Sequence, residues 1–147
     1  MRLWHKDLIA VLPDNQLRGQ WRECCLIAKG LHDGTLNHLL VNKVKNYSSL
    51  HFITYTGIVY TEMRHRGMMV RVMSFTKHLN DDDFRVFVES AKLQMTAQSF
   101  NHFRLFEGWH DDRYFRQCYY NLQEKYDSGG ITEDEWQKIE VVAHDRV

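Results

Sequence analysis

A single proline occurs in 147 residues, so almost nothing in the chain forbids helix. Cysteine is scarce as well: Cys24, Cys25 and Cys118 are the three present. They contain no CxxC spacing, which removes a zinc knuckle, and the adjacent pair cannot readily bridge to itself, which removes a disulfide framework. A reducing, cytoplasmic compartment is the expectation. No stretch approaches the roughly 20 apolar residues of a membrane-spanning helix. His5, Lys6 and Asp7 interrupt the place where a secretory signal would carry its apolar core. No membrane association is expected. Internal repeats and low-complexity tracts are missing too, and so is net charge, since 19 Lys and Arg balance 19 Asp and Glu.

That balance hides an asymmetry. Residues 1–77 carry eleven Lys and Arg against five Asp and Glu, a net +6, while residues 78–147 carry eight against fourteen, a net −6. A nucleic-acid binder needs a local basic surface to replace phosphate counterions, and the first half of the chain can supply one. Two solvated faces that merely differ in sign are the plain alternative. Apolar residues make up 44% of the chain and include four Trp, seven Tyr and eight Phe, enough to fill one core without metal or disulfide.

The periodicity is helical nearly throughout. Pro13 stands just before Asp14, where it opens a helix. Leu17, Trp21, Cys24, Cys25 and Ala28 then recur as one apolar stripe, with Arg18, Arg22 and Lys29 off it. Gly30 and Gly34 are expected to end this helix, and Thr35 to cap a short one through Leu36, Leu39 and Leu40. Lys43, Lys45 and Asn46 follow as a basic connector. Ser48 or Ser49 caps a helix striped by Leu50, Ile53, Gly57, Tyr60 and Met63, which stops at Gly67 behind Arg64 and Arg66. Those arginines suit the dipole of a last turn. Met68 to Phe75 can be extended. Asn80 to Asp83 form a turn and cap before a helix over 84–98, and another helix spans 111–126 and closes at Gly129 and Gly130. Thr132 and Glu135 form a capping box, with Ile131 and Trp136 as its hydrophobic staple. Residues 1–147 therefore read as a single compact all-α domain of about five helices with long connecting loops.

Two site chemistries are weighed and set aside. Nine histidines suggest a metal, but none pairs with a carboxylate as in HExxH. The segment around Gly129 faintly resembles a calcium loop, yet Tyr126 would occupy a ligand position it cannot serve. No metal site is expected. Trp109, Tyr114, Tyr119 and Tyr120 offer faces for base stacking, but at helical spacing such aromatics are more often core.

The informative stretch is the N-terminus with the first helix. Met1-Arg2-Leu3, then Leu12, Asp14, Leu17, and Trp21 followed at once by Arg22-Glu23 resemble the opening of the pyrimidine-dimer DNA glycosylases of the phage endonuclease V type. Glu62-Met63-Arg64-His65-Arg66-Gly67 is similar to that family's second block. His110, Cys118 and Asn121-Leu122-Gln123-Glu124-Lys125 are similar to its last core helix. The likeness covers roughly residues 1–70 and 102–126 and is nearer to a cellular branch than to the phage enzyme.

The resemblance implies a DNA repair enzyme whose nucleophile is the α-amino group of residue 1. An α-amine has a reference pKa of about 7.7–8.0 against about 10.4 for lysine, so near neutral pH far more of it is the free base. Such an amine attacks the sugar carbon bearing the damaged base, and the resulting Schiff base resolves by strand-cleaving elimination. Met1 would supply the amine and Glu23 the essential carboxylate, which stabilises the cationic imine and moves protons. Arg2 and Arg22 match arginines that grip phosphates flanking the lesion, with Arg18 beside them, and Lys125 matches a basic residue facing DNA. Gln16 stands where the phage enzyme has a phosphate-contacting histidine.

The implied partner is damaged or abasic double-stranded DNA, with no cofactor. The sequence also departs from the phage pattern. Arg2 is bulky, so Met1 is expected to be retained; one residue is inserted before Leu12; Leu26 and Asn121 replace basic positions; and an acidic helix replaces the aromatic-basic tail. These departures bear more on dimer specificity than on abasic-site lyase activity. A non-catalytic DNA- or protein-binding module on the same scaffold is the competing reading, and a helical domain acting on RNA or on another amine-reactive substrate a third.

Overall fold

Pro13 does open the first long helix of the computed structural model, which describes residues 1–92 and 104–147. Six α-helices occur among the described residues, α1 (Asp14–Asp33), α2 (Ser49–His65), α3 (Met73–Thr76), α4 (Asp81–Lys92), α5 (Asp112–Asp127) and α6 (Glu133–Ala143). Two 3-10 turns, Lys6–Val11 and Asn42–Asn46, complete the regular structure, and no strand is found among those residues. The fold is all-α, as its periodicity indicates. No described helix is long and apolar enough to cross a membrane.

The inner stripe of α1 is Leu17, Gln20, Trp21, Cys24, Ile27 and Ala28, while Cys25 is only half-buried. Gly34 ends the helix in the left-handed region at φ 69°, where a side chain would be strained. Gly30 does not end it. A Cβ at Gly30 would lie 3.1 Å from Leu36 Cβ, so this glycine is a seat for the returning chain. Anchoring Leu36 there leaves Leu39 and Leu40 with no apolar face to meet. The short helix expected from Thr35 therefore does not form, and a turn around His38 replaces it.

α2 is the hub, packing on α1, α4 and both 3-10 turns. Its residues from Phe52 to Val59 are buried on every side, which reconciles its many β-branched residues with a helix. At its C-terminus, Arg66 does more than suit the dipole. Its guanidinium pairs with Glu62 at 2.8 Å and Asp14 at 2.9 Å and donates to the Leu12 carbonyl at 2.7 Å, tying this helix end to the start of α1.

Met68 to Phe75 is not extended. Phe75, in the single turn α3, is fully buried with ring contacts to Trp21, Phe52 and Phe87. α4 starts at Asp81 under an Asn80 side chain that accepts from Asp83 N at 2.8 Å; the part of that helix expected beyond Lys92 lies outside the described residues. Asp111 caps α5, and the capping box of α6 has both its bonds, Glu135 N to Thr132 Oγ1 and Thr132 N to Glu135 Oε1. Trp109 and Tyr119 belong to the core, whereas Tyr120 is exposed.

Two buried histidines, His5 and His110, lie with ring centroids 5.2 Å apart. Each Nδ1 accepts a backbone N–H, from Asp7 and Lys6 respectively, so the ring proton belongs on Nε2. Neither Nε2 meets a hydrogen-bond partner among the described residues. Burial pushes His5 down to about 4 from 6.5, with Asp7 opposing and Arg146 and Lys6 assisting, and burial with His5 and Lys6 holds His110 well below its ordinary value.

Two outcomes follow. An unfolded chain protonates these rings first, so stability is full above pH 6.5 and is lost as pH falls from there toward about 4. Thermal melts of His5→Asn/His110→Asn, which keeps both acceptors without the titration, should show a shallower decline across that window; an unchanged decline would remove the pair as its cause. At the α2–α4 crossing, a Cβ on Gly57 would stand 2.7 Å from Ser90 Cβ. Gly57→Ala should cost up to about 2 kcal/mol net, since ~1–3 of overpacking is offset by the ~1 of added helix propensity. Urea unfolding should show the same substitution becoming neutral or stabilising in a Ser90→Gly background.

Candidate active site

The N-terminal segment is extended, and side chains from three helices hold it. Five backbone groups between Arg2 and Trp4 have side-chain partners. Gln20 on α1 takes two of them, its Nε2 donating to the Arg2 carbonyl at 2.9 Å and its Oε1 accepting from Trp4 N at 2.7 Å. The Tyr55 hydroxyl of α2 lies 2.6 Å from the Trp4 carbonyl and 2.8 Å from Gln20 Oε1, sharing one proton between two acceptors. The Tyr114 hydroxyl of α5 donates to the Leu3 carbonyl. Burial raises both phenols above their ordinary range, which keeps them protonated donors.

The fifth group is Arg2 N, which donates to Glu23 Oε2 at 3.1 Å. Glu23 stands one turn beyond Gln20, whose Nε2 is 3.4 Å from the same oxygen. Only three covalent bonds separate Met1 N from Arg2 N, so the Met1 nitrogen is within about 7 Å of that carboxylate oxygen. That bound puts the chain-start amine and the carboxylate in the same neighbourhood.

Around them is a cavity of about 250 Å³. Met1, Arg2 and Trp4 form one wall, one face of α1 (Gln16, Gly19, Gln20, Glu23) another, and Asn121 and Lys125 of α5 a third, with Leu40 at the edge. Of the residues singled out from sequence, Met1, Arg2, Gln16, Glu23 and Lys125 are thus brought together. Arg18 and Arg22 are exposed and do not line the cavity. Arg18 donates to Asn15 Oδ1 at 3.2 Å, and Arg22 Nη2 would be 3.7 Å from a Cβ on Gly19, so it borders the cavity wall from outside. The Arg2 guanidinium lies 5.4 Å from the Trp4 ring centroid, a cation over an aromatic face.

A larger groove of about 940 Å³ runs between α2, α3 and α4. Its walls are mostly apolar, including Met73, Phe84 and Phe87, and its Glu62 is already paired with Arg66. The smaller cavity is the better candidate because it gathers the first residue of the chain, a carboxylate and a lysine at one place. Among the described residues, no three His, Cys, Asp or Glu side chains gather as metal ligands.

Periodicity alone does not single out the clamp. Gln20 carries one legible signal, a polar residue between Leu17 and Cys24 on a buried stripe. Tyr55 and Tyr114 carry none, since nothing local marks a tyrosine whose hydroxyl serves a backbone 51 or 111 residues away.

No curated protein and no solved structure matches the chain. Residues 1–76, just over half of its length, match the pyrimidine dimer DNA glycosylase family, and the chain belongs to that family.

Proposed function

We propose that this cavity is the active site of a DNA glycosylase with abasic-site lyase activity, and that the Met1 α-amine is its nucleophile. The observation that carries the proposal is the bond from Arg2 N to Glu23 Oε2, which holds the first peptide of the chain against a helix-borne carboxylate. On damaged DNA, the amine adds at sugar C1′ as the damaged base departs with the C1′–N bond electrons, and the C1′–O4′ bond then breaks, its electrons going to O4′ as the nitrogen lone pair closes the C=N bond. On an abasic sugar it condenses with the open-chain aldehyde, losing water. Either route gives an imine whose cationic form draws electrons from C2′, so loss of a C2′ proton expels the 3′ phosphate. Water then hydrolyses the imine and frees the amine. Glu23 accepts and returns protons in these steps and stabilises the imine charge.

Family membership points to damaged DNA as the substrate. The target nucleotide must leave the base stack for its sugar to reach the amine. Arg2, Arg18, Arg22 and Gln16 are assigned to the flanking phosphates, for which the exposure of Arg18 and Arg22 on the outer side of α1 is suitable. Lys125 completes the cationic wall. A cytoplasmic location belongs to the same proposal.

Borohydride reduction on an abasic duplex should leave one covalent adduct, and peptide mapping should place it on Met1. Selective acetylation of the α-amine should abolish trapping, while Lys125→Gln should retain it; an adduct on Lys125 would overturn the assignment. Glu23→Gln should slow strand cleavage by roughly 10²–10⁴-fold with DNA binding retained. Undiminished cleavage by that variant would leave a binding module as the better description.

A further inference from the structure

The turn between α1 and the Asn42–Asn46 turn presents two consecutive leucines to solvent. Leu39 is 90% exposed and Leu40 is 49% exposed. One exposed leucine is ordinary, but this pair sits on a braced tip. The His38 carbonyl accepts from Val41 N at 3.0 Å and Asn42 N at 2.8 Å, and the Asn42 side chain accepts from His38 N at 2.9 Å. Leu36 and Val41, buried on either side, anchor it to the core. The leucines are therefore held out by a fixed backbone.

Their position gives them an occupant. Leu40 lines the same cavity as Met1 and Glu23. The sequence from Gly34 to Thr61 contains no Asp or Glu, and Lys43, which is exposed, follows the tip, so this stretch itself sets no negative charge against a polyanion. Apolar side chains that enter a duplex do so between base steps, replacing lost stacking with their own contacts. We propose that Leu39, with Leu40 beside it, is a wedge that enters the base stack next to the lesion and holds open the gap left by the extruded nucleotide. This inference rests on the reading of the cavity as a DNA lyase site. It assigns to the tip the opening of the stack, which the amine and Glu23 do not perform.

A duplex carrying a tetrahydrofuran abasic analogue with 2-aminopurine as its neighbour tests the wedge without any cleavage, because the analogue lacks the C1′ hydroxyl and cannot open to an aldehyde for the amine to condense with. Binding of the wild-type chain should raise 2-aminopurine fluorescence several-fold. Leu39→Ala should bind within a few-fold of wild type but leave the fluorescence near that of free DNA, and Leu39→Met should restore the rise. A full rise with Leu39→Ala, or wild-type binding with no rise, overturns the wedge. Borohydride trapping on a true abasic site reports separately on the amine, so the two readings fail independently; absence of any DNA binding overturns both. In cleavage, Leu39→Ala should lose at least tenfold on duplex abasic DNA and little on a single-stranded abasic oligonucleotide, which has no paired stack to open. Equal loss on both substrates would mark a structural role and reject the wedge.

Discussion

The amide of Gln20 is the interaction on which the arrangement of the site depends. Chain termini ordinarily fray, because the first few residues make too few contacts to offset their conformational entropy. Here one buried side chain bonds two backbone groups of the same extended segment, the Arg2 carbonyl and Trp4 N. A primary amide suits this task because it donates and accepts from adjacent atoms, as a backbone strand would. Two phenols, Tyr55 and Tyr114, then satisfy the carbonyls on either side. In a buried setting each of these bonds is stronger than in water, and breaking one leaves a desolvated partner, so the segment is fixed as a unit. Glu23 is placed by the same helix face that places Gln20.

α1 consequently performs three tasks on three faces. Leu17, Trp21, Cys24 and Ile27 bury it against the core. Gln16, Gly19, Gln20 and Glu23, spaced at about one turn, form the cavity wall. Arg18 and Arg22 remain outside, one turn apart, next to that wall. α2 lies behind it, enclosed from Phe52 to Val59. Its contact with α4 at Gly57 and Ser90 is tight enough that a single methyl group would not fit without movement.

How much of this was legible in the sequence depends on the range of the interaction concerned. The capping box at Thr132 and Glu135, the start of α1 behind Pro13 and its end at Gly34 are decided within a few residues, and each stands where its local signal puts it. The turn around Leu39 departs from its leucine spacing because that spacing makes a helix only where something covers it, and Leu36 alone is covered, by its approach to Gly30. Local sequence makes Arg66 a dipole partner within reach of Glu62, whereas its bonds to the Leu12 carbonyl and Asp14 come together only in the fold. Met1, Glu23 and Lys125 were grouped through a family likeness, and their shared cavity is a tertiary fact that no local pattern expresses.

The neutrality of Gln20 has its own chemical logic. A carboxylate at position 20 would lose the N–H that the Arg2 carbonyl needs and would place a second negative charge beside Glu23, whose Oε2 is 3.4 Å from the Gln20 amide nitrogen. Like charges at that separation disfavour ionisation of one or both groups, and the roles proposed for Glu23 require an ionised carboxylate. With an amide there, Glu23 is the only carboxylate among the described residues that line the cavity, which it shares with Met1, Arg2 and Lys125. The same neutral side chain therefore fixes the chain start and adds no second negative charge beside Glu23.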